Sequence, residues 1–294
     1  MKKIVIFGLF LMVIPGVLKA QTVNKIPFTT IDYTTNRLKN DSVNANTQQM
    51  NAFIQIPLLH NEKRLIGTRI AYNSQNITNV DDMMNAYLYG ISANLYWRRT
   101  FAPGKQLHIF AQAGLYSDLK DISGNNFRYL FGATYITQKT EKLKTGLGLG
   151  YARQFFGHQI IPFISVNYKI SDRWTFSGAL PMRPQLSYVI SERWIWVLQI
   201  NGNVESYRLS EKDDDNAFIQ TTTWEGLSKI KYVFAKKHQI HFGLGIMQQT
   251  INRYADASSN NWKIITFDLS KRDEPTDRIK LGGTTINFGY SLLF

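Results

Sequence analysis

Apolar and polar residues alternate along much of the chain after residue 20. In the stretch 85–99, one face carries Tyr87, Tyr89, Ile91, Ala93, Leu95 and Trp97, and the other carries Gly90, Ser92, Asn94 and Arg98. Because successive side chains of a β-strand point to opposite faces, this pattern predicts a strand that is apolar on one side only. The same rhythm recurs at 50–57, 106–117, 127–138, 143–155, 194–206 and 239–250. These lengths suit transmembrane strands, which need about 9–11 residues.

The C-terminal segment 283–294, GTTINFGYSLLF, carries the same alternation in its sharpest form. Phe294, Leu292, Tyr290 and Phe288 share one face, while the opposite face is small or polar apart from Leu293. Such a strand suits lipid outside and a polar lumen inside. It resembles the terminal strand by which the barrel-assembly machinery of bacteria recognises outer-membrane barrels. An amphipathic strand at the end of a soluble sheet is the alternative.

Turn residues divide the chain into short and long connections that alternate. Short ones are predicted at 60–64, 103–105, 139–142, 171–173, 191–193 and 235–238, and long ones near 37–46, 74–84, 118–126, 208–216 and 252–280. Short periplasmic turns and longer outer loops are typical of outer-membrane barrels, so the fold predicted is all-β, a single antiparallel transmembrane β-barrel of about 12–14 strands. The lower count applies if the segment 28–36 or 173–190 does not span the membrane. Residues 262–269 are predicted to form a small extra hairpin in the last loop.

Residues 1–20 have the pattern of a secretory signal peptide. Lys2 and Lys3 precede an apolar run that ends near Leu18, and Ala20 supplies a small residue at the expected cleavage site. The predicted organisation is therefore a signal peptide over 1–20 and one barrel domain over 21–294, located in the outer membrane after export and cleavage. An uncleaved anchor helix is the alternative. The chain has no cysteine, which excludes a lipid-modified N-terminal cysteine and disulfides.

The formal net charge of +13 indicates that the protein could attract anionic partners. Nucleic acid is not expected as a partner, because an exported protein rarely meets any. Attraction to anionic outer-membrane lipid and lipopolysaccharide is the better interpretation of the charge. A soluble surface that happens to be basic remains the alternative. The sequence does not indicate an oligomeric state.

Aromatic residues gather beside the predicted short turns. A girdle at the lipid head-group level would place them there. The predicted members are Tyr96, Trp97, Phe101, Trp174, Trp194, Trp196, Phe234 and Phe294.

The polar faces of the predicted strands give a set of residues that should line the interior of the barrel. This interior set comprises Arg69, Asn94, Arg98, Gln112, Lys144, Lys169, Asn201, Glu205, Glu225, Lys229, Lys231 and His241. Bases outnumber acids in it, and cationic rings favour anions. The set therefore predicts a narrow passive pore for small solutes with a weak preference for anions. The alternative is a structural or adhesion barrel whose polar side chains, with segment 21–30, occlude the interior.

Candidate catalytic and metal-binding residues are few. A lipid-modifying barrel enzyme would need a nucleophile and a base such as a Ser–His pair, but His158 on the outer side has no serine close in sequence, and His60 belongs to a short turn. His238 and His241 are three residues apart and point to opposite faces of a strand. We therefore predict no enzyme activity, no catalytic residue, no metal site and no cofactor, and a lipid-modifying outer-membrane enzyme remains as the alternative.

Several segments resemble a family of Gram-negative outer-membrane barrels that is catalogued as a domain of unknown function. They are the Ala20–Gln21 junction, IDYTTNRLKND at 31–41, SDRWTFSGALPMRPQLSYVISERW at 171–194, and the terminal strand. The middle segment also has a distant likeness to barrels for the uptake of hydrophobic compounds. Neither resemblance implies catalytic residues.

Overall fold

The computed structural model describes residues 27–294 apart from 211–215, 258–259, 266 and 270–273, so the predicted signal peptide lies outside the described residues. Strands account for most of the described chain. They are β1 Pro27–Lys39, β2 Asn44–His60, β3 Arg64–Thr78, β4 Ala86–Ala102, β5 Lys105–Ser117, β6 Phe127–Gln138, β7 Leu143–Gln154, β8 Gly157–Lys169, β9 Trp174–Leu180, β10 Arg183–Val189, β11 Trp194–Arg208, β12 Phe218–Phe234, β13 His238–Tyr254, β14 Asn261–Ile264, β15 Phe267–Asp268 and β16 Asp277–Leu293. No helix in this part of the chain is long and apolar enough to cross a membrane.

The sheet closes on itself. Strands β1 to β13 pair antiparallel in chain order, and β16 pairs with both β13 and β1. This confirms the predicted closed antiparallel barrel, at the upper end of the predicted strand count. Because β1 begins at Pro27, residues 27–30 belong to the wall, and the suggestion that they occlude the interior is wrong, whereas residues 21–26 of the same predicted segment lie outside the described residues.

The two faces of the wall differ as the alternation predicted. Large apolar side chains point outward and are solvent-exposed on every long barrel strand, for example Ile31, Ile91, Leu147 and Ile246. Monomeric soluble proteins rarely expose apolar patches of more than a few hundred Å². An exterior of this kind belongs in lipid, where a closed sheet satisfies its own backbone hydrogen bonds.

Two ends of the barrel can be distinguished by their connections. At the turn end, all six predicted short turns are present, and the chain finishes there at Phe294. At the loop end, the connections include 118–126, 209–217 and 255–276, and the predicted hairpin forms as β14 and β15. The predicted long loop at 37–46 is wrong, because β1 and β2 extend until only residues 40–43 remain between them.

A cluster of buried apolar side chains fills the interior near the loop end, and we call it the apolar layer. Its members are Leu38, Ala45, Ile77, Met84, Leu88, Tyr116, Phe155, Phe156, Val204, Tyr207, Leu209, Ala217, Phe218, Ile219, Met247, Ile251, Tyr254 and Leu281. Most of them lie on strand ends that face inward. The apolar layer therefore narrows the interior on this side.

The part of β11 that lies towards the loop end, which we call the upper part, leaves the wall and lies inside the barrel. Its outward positions are exposed as far as Ile200, whereas Gly202, Val204 and Ser206 are buried. Arg208 pairs in parallel with Ser117 of β5, and the backbone N–H of Asp118 donates to the carbonyl of Arg208 at 3.3 Å. This end of β11 therefore divides the interior into two compartments.

On one side the wall stops well short of the loop end, because β9 and β10 have only seven residues each. The β8–β9 pairing reaches only to Ile164 and Leu180, and the β10–β11 pairing reaches only to Gln185 and Gln199. Above this hairpin, β8 and β11 are not joined to each other by barrel strands.

Candidate functional site: the barrel interior

The strand register places the interior set on the inward face. One row of directly paired residues runs through Gln55, Arg69, Asn94 and Gln112. Another row joins Lys231 to His241, and Asn201 lies opposite Glu225. By alternation, Arg98, Lys144, Glu205 and Lys229 share this face. That these residues line a conducting pathway stays a prediction.

Lys169 shares the inward face but lies at the rim of the turn end. Its Nζ is 2.8 Å from Oδ1 of Asp172, and the Asp172 side chain is almost fully exposed. The hydrogen bond and the positive charge of Lys169 lower the pKa of Asp172 below its usual range. An exposed pair of this kind contributes little stability. Lys169 therefore belongs to the mouth of the barrel.

Two cavities occupy the interior on the two sides of β11. The side cavity, about 320 Å³, lies between β5–β8 and the face of β11 that carries Gly202 and Val204. The central cavity, about 270 Å³, is lined mainly by polar side chains of β2, β3, β11 and β12, including Gln49, Asn73 and Thr223. Arg183, Gly202, Asn203 and Glu205 line both. The two cavities therefore adjoin at the tip of the β9–β10 hairpin.

Two carboxylates of the central cavity are held by neutral donors. Glu225 accepts hydrogen bonds from Asn201 Nδ2 and Thr285 Oγ1, both at 3.2 Å. Glu205 accepts a hydrogen bond from the Tyr207 hydroxyl at 2.5 Å. Asn73 Nδ2 donates to the same hydroxyl at 2.6 Å, so a side chain of β3 reaches β11 across the barrel.

His241 belongs to a buried polar network in the wall. Its Nε2 lies 2.7 Å from Oδ1 of Asp32 and 3.1 Å from Oδ1 of Asn287. Asp32 and His241 reach each other over Gly289, where an added Cβ would lie only 2.6 Å from the imidazole. The interior set omitted Asp32, although its position between Ile31 and Tyr33 in an alternating stretch is a signal for an inward carboxylate.

Arg128 is a second interior residue that the sequence prediction missed. Its side chain is buried, and Nη1 donates to Gln154 Oε1 at 2.7 Å and to the Ser206 carbonyl at 2.8 Å. The guanidinium lies 3.4 Å from the ring centroid of Tyr116, a cation–π arrangement. Arg128 alternates with the apolar Phe127 and Tyr129, so its inward direction could have been inferred.

Arg183 is the third missed residue and stands where the two cavities meet. Its side chain is exposed, and no hydrogen bond or ion pair joins it to any residue in the described ranges. Glu205 lines the same cavities but is bound by Tyr207. The guanidinium of Arg183 is therefore available to a solute in either cavity.

The aromatic girdle is present at the turn end, with one exception. Trp174 lies 4.6 Å from Tyr188 and 6.1 Å from Trp196, and Trp194 lies 4.6 Å from Tyr232, all between ring centroids. Tyr96 is the exception. It shares the inward face of β4 with Asn94 and covers Gly67, so its assignment to the girdle is wrong.

Three of the histidines contact partners other than serine within the described residues. On the outward face, His158 Nδ1 contacts the Tyr151 hydroxyl at 2.6 Å, and Trp262 stacks on the imidazole at 4.4 Å between centroids. His238 Nδ1 contacts the Tyr290 hydroxyl at 2.7 Å, on the face opposite to His241. In the parts of the chain that the structure covers, none of these imidazoles hydrogen-bonds a serine.

Comparison with known proteins gives one family and several distant structures. A family model described as "Domain of unknown function (DUF6268)" matches residues 17–272. No curated protein matches the chain significantly.

The solved structures that are similar to this chain include three outer-membrane barrels. The COG4313 outer membrane channel from Pseudomonas putida F1 has 13% identity and a TM-score of 0.46, over 96% of this chain and 100% of that chain. The KdgM porin in complex with disordered oligogalacturonate has 7% identity and a TM-score of 0.36, over 90% and 99%. The outer membrane phospholipase A from Escherichia coli has 9% identity and a TM-score of 0.38, over 92% and 93%. At these values the likenesses carry no information on activity.

Proposed function

Because this chain belongs to the DUF6268 family, whose description names no activity, we propose its function from the geometry of its interior: it is an outer-membrane barrel that passes small solutes. The observation that carries the proposal is the pair of adjoining cavities, about 320 and 270 Å³, with Arg183 at their junction, where no described residue forms an ion pair with it. A barrel whose interior were filled by packed side chains would leave no such space.

The outer membrane is the location that suits this barrel. Its exterior is apolar and its backbone hydrogen bonds are internal, which is how a β-structure crosses lipid. Short turns face the periplasm in outer-membrane barrels, so the turn end is assigned to the periplasm and the loop end to the cell exterior.

Anions are the preferred solutes in this proposal. The inward-facing cations include Arg69, Arg98, Lys144, Arg183, Lys229 and Lys231, whereas the inward-facing acids are fewer and include Asp32, Glu205 and Glu225. Excess fixed positive charge attracts anions and repels cations from a narrow interior.

We expect the substitution Arg183→Glu to reduce the anion preference of the pore and to shift it towards cations. The change replaces a cation that has no ion-pair partner among the described residues by an anion at the junction of both cavities. Reversal potentials in an asymmetric KCl gradient measure the effect, and Arg183→Lys, which keeps the charge, should retain the native preference. An unchanged reversal potential in the Glu variant would mean that the conducting route avoids Arg183.

Recording from purified protein in planar lipid bilayers tests the proposed function directly. We expect small, discrete openings, because the apolar layer narrows the loop end. A second candidate function, a structural or adhesion barrel with an occluded interior, is favoured by that same layer. The second candidate is correct if neither the native protein nor a variant with a thinned apolar layer conducts at any voltage.

The terminal strand is proposed to engage the barrel-assembly machinery through its outward face of Phe288, Tyr290, Leu292 and Phe294. We expect deletion of Phe294 to lower the amount of protein in the outer membrane about tenfold. Phe234→Ala is the matched control, because Phe234 is an exposed aromatic side chain at the same turn end. Quantitative immunoblots of outer-membrane fractions measure the result, and equal levels for both variants would remove Phe294 from the assembly signal.

A further inference from the structure

The short β9–β10 hairpin leaves two strand edges without a neighbouring barrel strand in the wall. Above the β9–β10 hairpin, residues 157–163 of β8 have no β9 partner and residues 200–208 of β11 have no β10 partner. Hairpin β14–β15 covers part of the first edge, since Asn261–Ile264 pairs in parallel with Gly157–Ile160. On the other edge, the hairpin tip makes one backbone hydrogen bond, from Gly202 N–H to the Met182 carbonyl at 2.7 Å. Between β14 and β11, no barrel strand in the described part of the chain joins the two sides, which meet towards the loop end, where Phe155 N–H donates to Ser206 Oγ at 3.1 Å.

The side cavity lies directly behind this gap. Its lining includes Gln159, Ile161 and Phe163 from β8, and Gly202 and Val204 from β11. The tips of both hairpins, Met182 and Ile265, complete the border. The side cavity therefore adjoins the part of the wall that lacks strand pairing.

The chemistry of the side cavity differs from that of the central cavity. Phe110, Leu130, Ile161, Phe163, Met182 and Val204 give it an apolar body. The central cavity, by contrast, is lined mainly by amides, hydroxyls and carboxylates, besides the shared Arg183. A volume of about 320 Å³ has room for on the order of ten heavy atoms, at about 30 Å³ for each water-sized group.

Two cations line the side cavity, and one of them is available to an anionic ligand. Arg128 is already occupied by Gln154, Ser206 and Tyr116. Arg183, at the border with the central cavity, has no hydrogen bond or ion pair within the described part of the chain. A molecule with an apolar tail and one anionic group would satisfy both the apolar lining and Arg183.

We propose that the side cavity binds small single-chain anionic amphiphiles, which reach it sideways from the lipid through the gap between β8 and β11. The proposal rests on the proposed transport function and names the class of solute for one of its two cavities. In it, the tail lies among the apolar side chains, and the anionic group lies at Arg183. From there, the solute faces the polar central cavity.

The route of access can be tested with single cysteines, because the native chain has none. Ala179→Cys places a thiol in the side cavity, and Thr223→Cys places one in the central cavity. In liposomes, pyrene maleimide dissolved in the bilayer should label the Ala179→Cys variant at least about tenfold faster than the Thr223→Cys variant. Ala93→Cys, on the lipid-facing side of β4, sets the upper limit of the rate. Equal rates at the two cavity positions, or a faster rate at the central one, overturn lateral access.

The solute class is tested in the same labelling assay. Octanoate should slow the labelling of Ala179→Cys, whereas octyltrimethylammonium, with the same tail and a cationic head, should not. Adding Arg183→Gln should raise the octanoate concentration needed for protection about tenfold, the effect of losing one charge-assisted hydrogen bond. Arg183→Lys should restore protection. Equal protection by both amphiphiles, or no effect of the Gln change, contradicts the proposal. Labelling requires no ion current, so this proposal and the conducting pore can fail independently.

Discussion

Replacing Tyr207 by alanine should increase the single-channel conductance at least about fivefold. Tyr207 is fully buried in the apolar layer, and its ring packs on Tyr116 at 6.0 Å between centroids. Its hydroxyl joins Asn73 of β3 to Glu205 of β11 across the interior. Loss of the ring removes both a large, fully buried side chain that lines the central cavity and this crosslink, so we expect water and ions to gain a route to the loop end.

The variant Tyr207→Phe separates the contribution of the ring from the contribution of the hydroxyl crosslink. It keeps the ring in the apolar layer and removes only the hydroxyl, so the conductance should stay near the native value while Asn73 and Glu205 lose a partner. Tyr135→Ala is the control for the loss of a tyrosine ring, because Tyr135 points into the lipid. A truncated core aromatic side chain costs about 3–5 kcal/mol. The altered mobility of the folded barrel on unheated gels therefore has to be verified first. A folded Tyr207→Ala barrel with native conductance would show that the apolar layer does not limit passage.

The parts of this structure that depend on local alternation could be predicted from the sequence. The terminal strand is the clearest example, because Phe288 and Tyr290 lie outward and Asn287 lies inward, next to Thr34 at 2.9 Å. Every outward position around the barrel must be apolar to suit lipid, so alternation with a period of two residues is sufficient to predict the outward face.

The position of the upper β11 could not be predicted in this way. Val204 and Ser206 continue the outward parity of Leu198 and Ile200, yet both are buried inside the barrel. The cause is non-local, because β9 and β10 are too short to hold this part of β11 in the wall, and Arg208 pairs instead with Ser117 of β5. A pairing between strands so distant in the chain leaves no periodic trace in either one.

The sequence prediction does not contain the apolar layer, and the reason differs from that for β11. Leu38, Ile77, Leu88 and Leu281 occupy inward positions near the loop end and are fully buried. Their apolar character is visible in the sequence, but the sequence prediction assumes a polar interior along the whole length of each strand. A small barrel fills part of its interior with side chains, and apolar ones are suitable wherever water is excluded.

The substitution Gly283→Val should prevent closure of the barrel. Gly283 lies on β16, opposite Leu38 of β1 and Met247 of β13, in the seam that joins the last strand to the first. An added Cβ would lie 1.9 Å from the Arg37 carbonyl oxygen, a backbone atom that no rotamer change can move. This clash can be relieved only if β16 and β1 separate. The backbone groups that then lose their partners cost several kcal/mol each in lipid. We expect less than about one tenth of the native yield of the folded form after refolding into detergent.

The neighbouring glycine provides a matched control, because Gly282→Val changes the same residue type one position earlier in the same seam. At Gly282 the nearest atom to an added Cβ is the Met247 carbonyl oxygen at 3.9 Å, an ordinary contact, and alternation directs the side chain outward to lipid. This variant should refold as well as the native protein. The difference between the variants therefore isolates the backbone contact from the general cost of replacing a glycine in a strand. Equal refolding yields of the two valine variants would mean that the seam can widen at Gly283, and that closure depends on the other β1–β16 pairs.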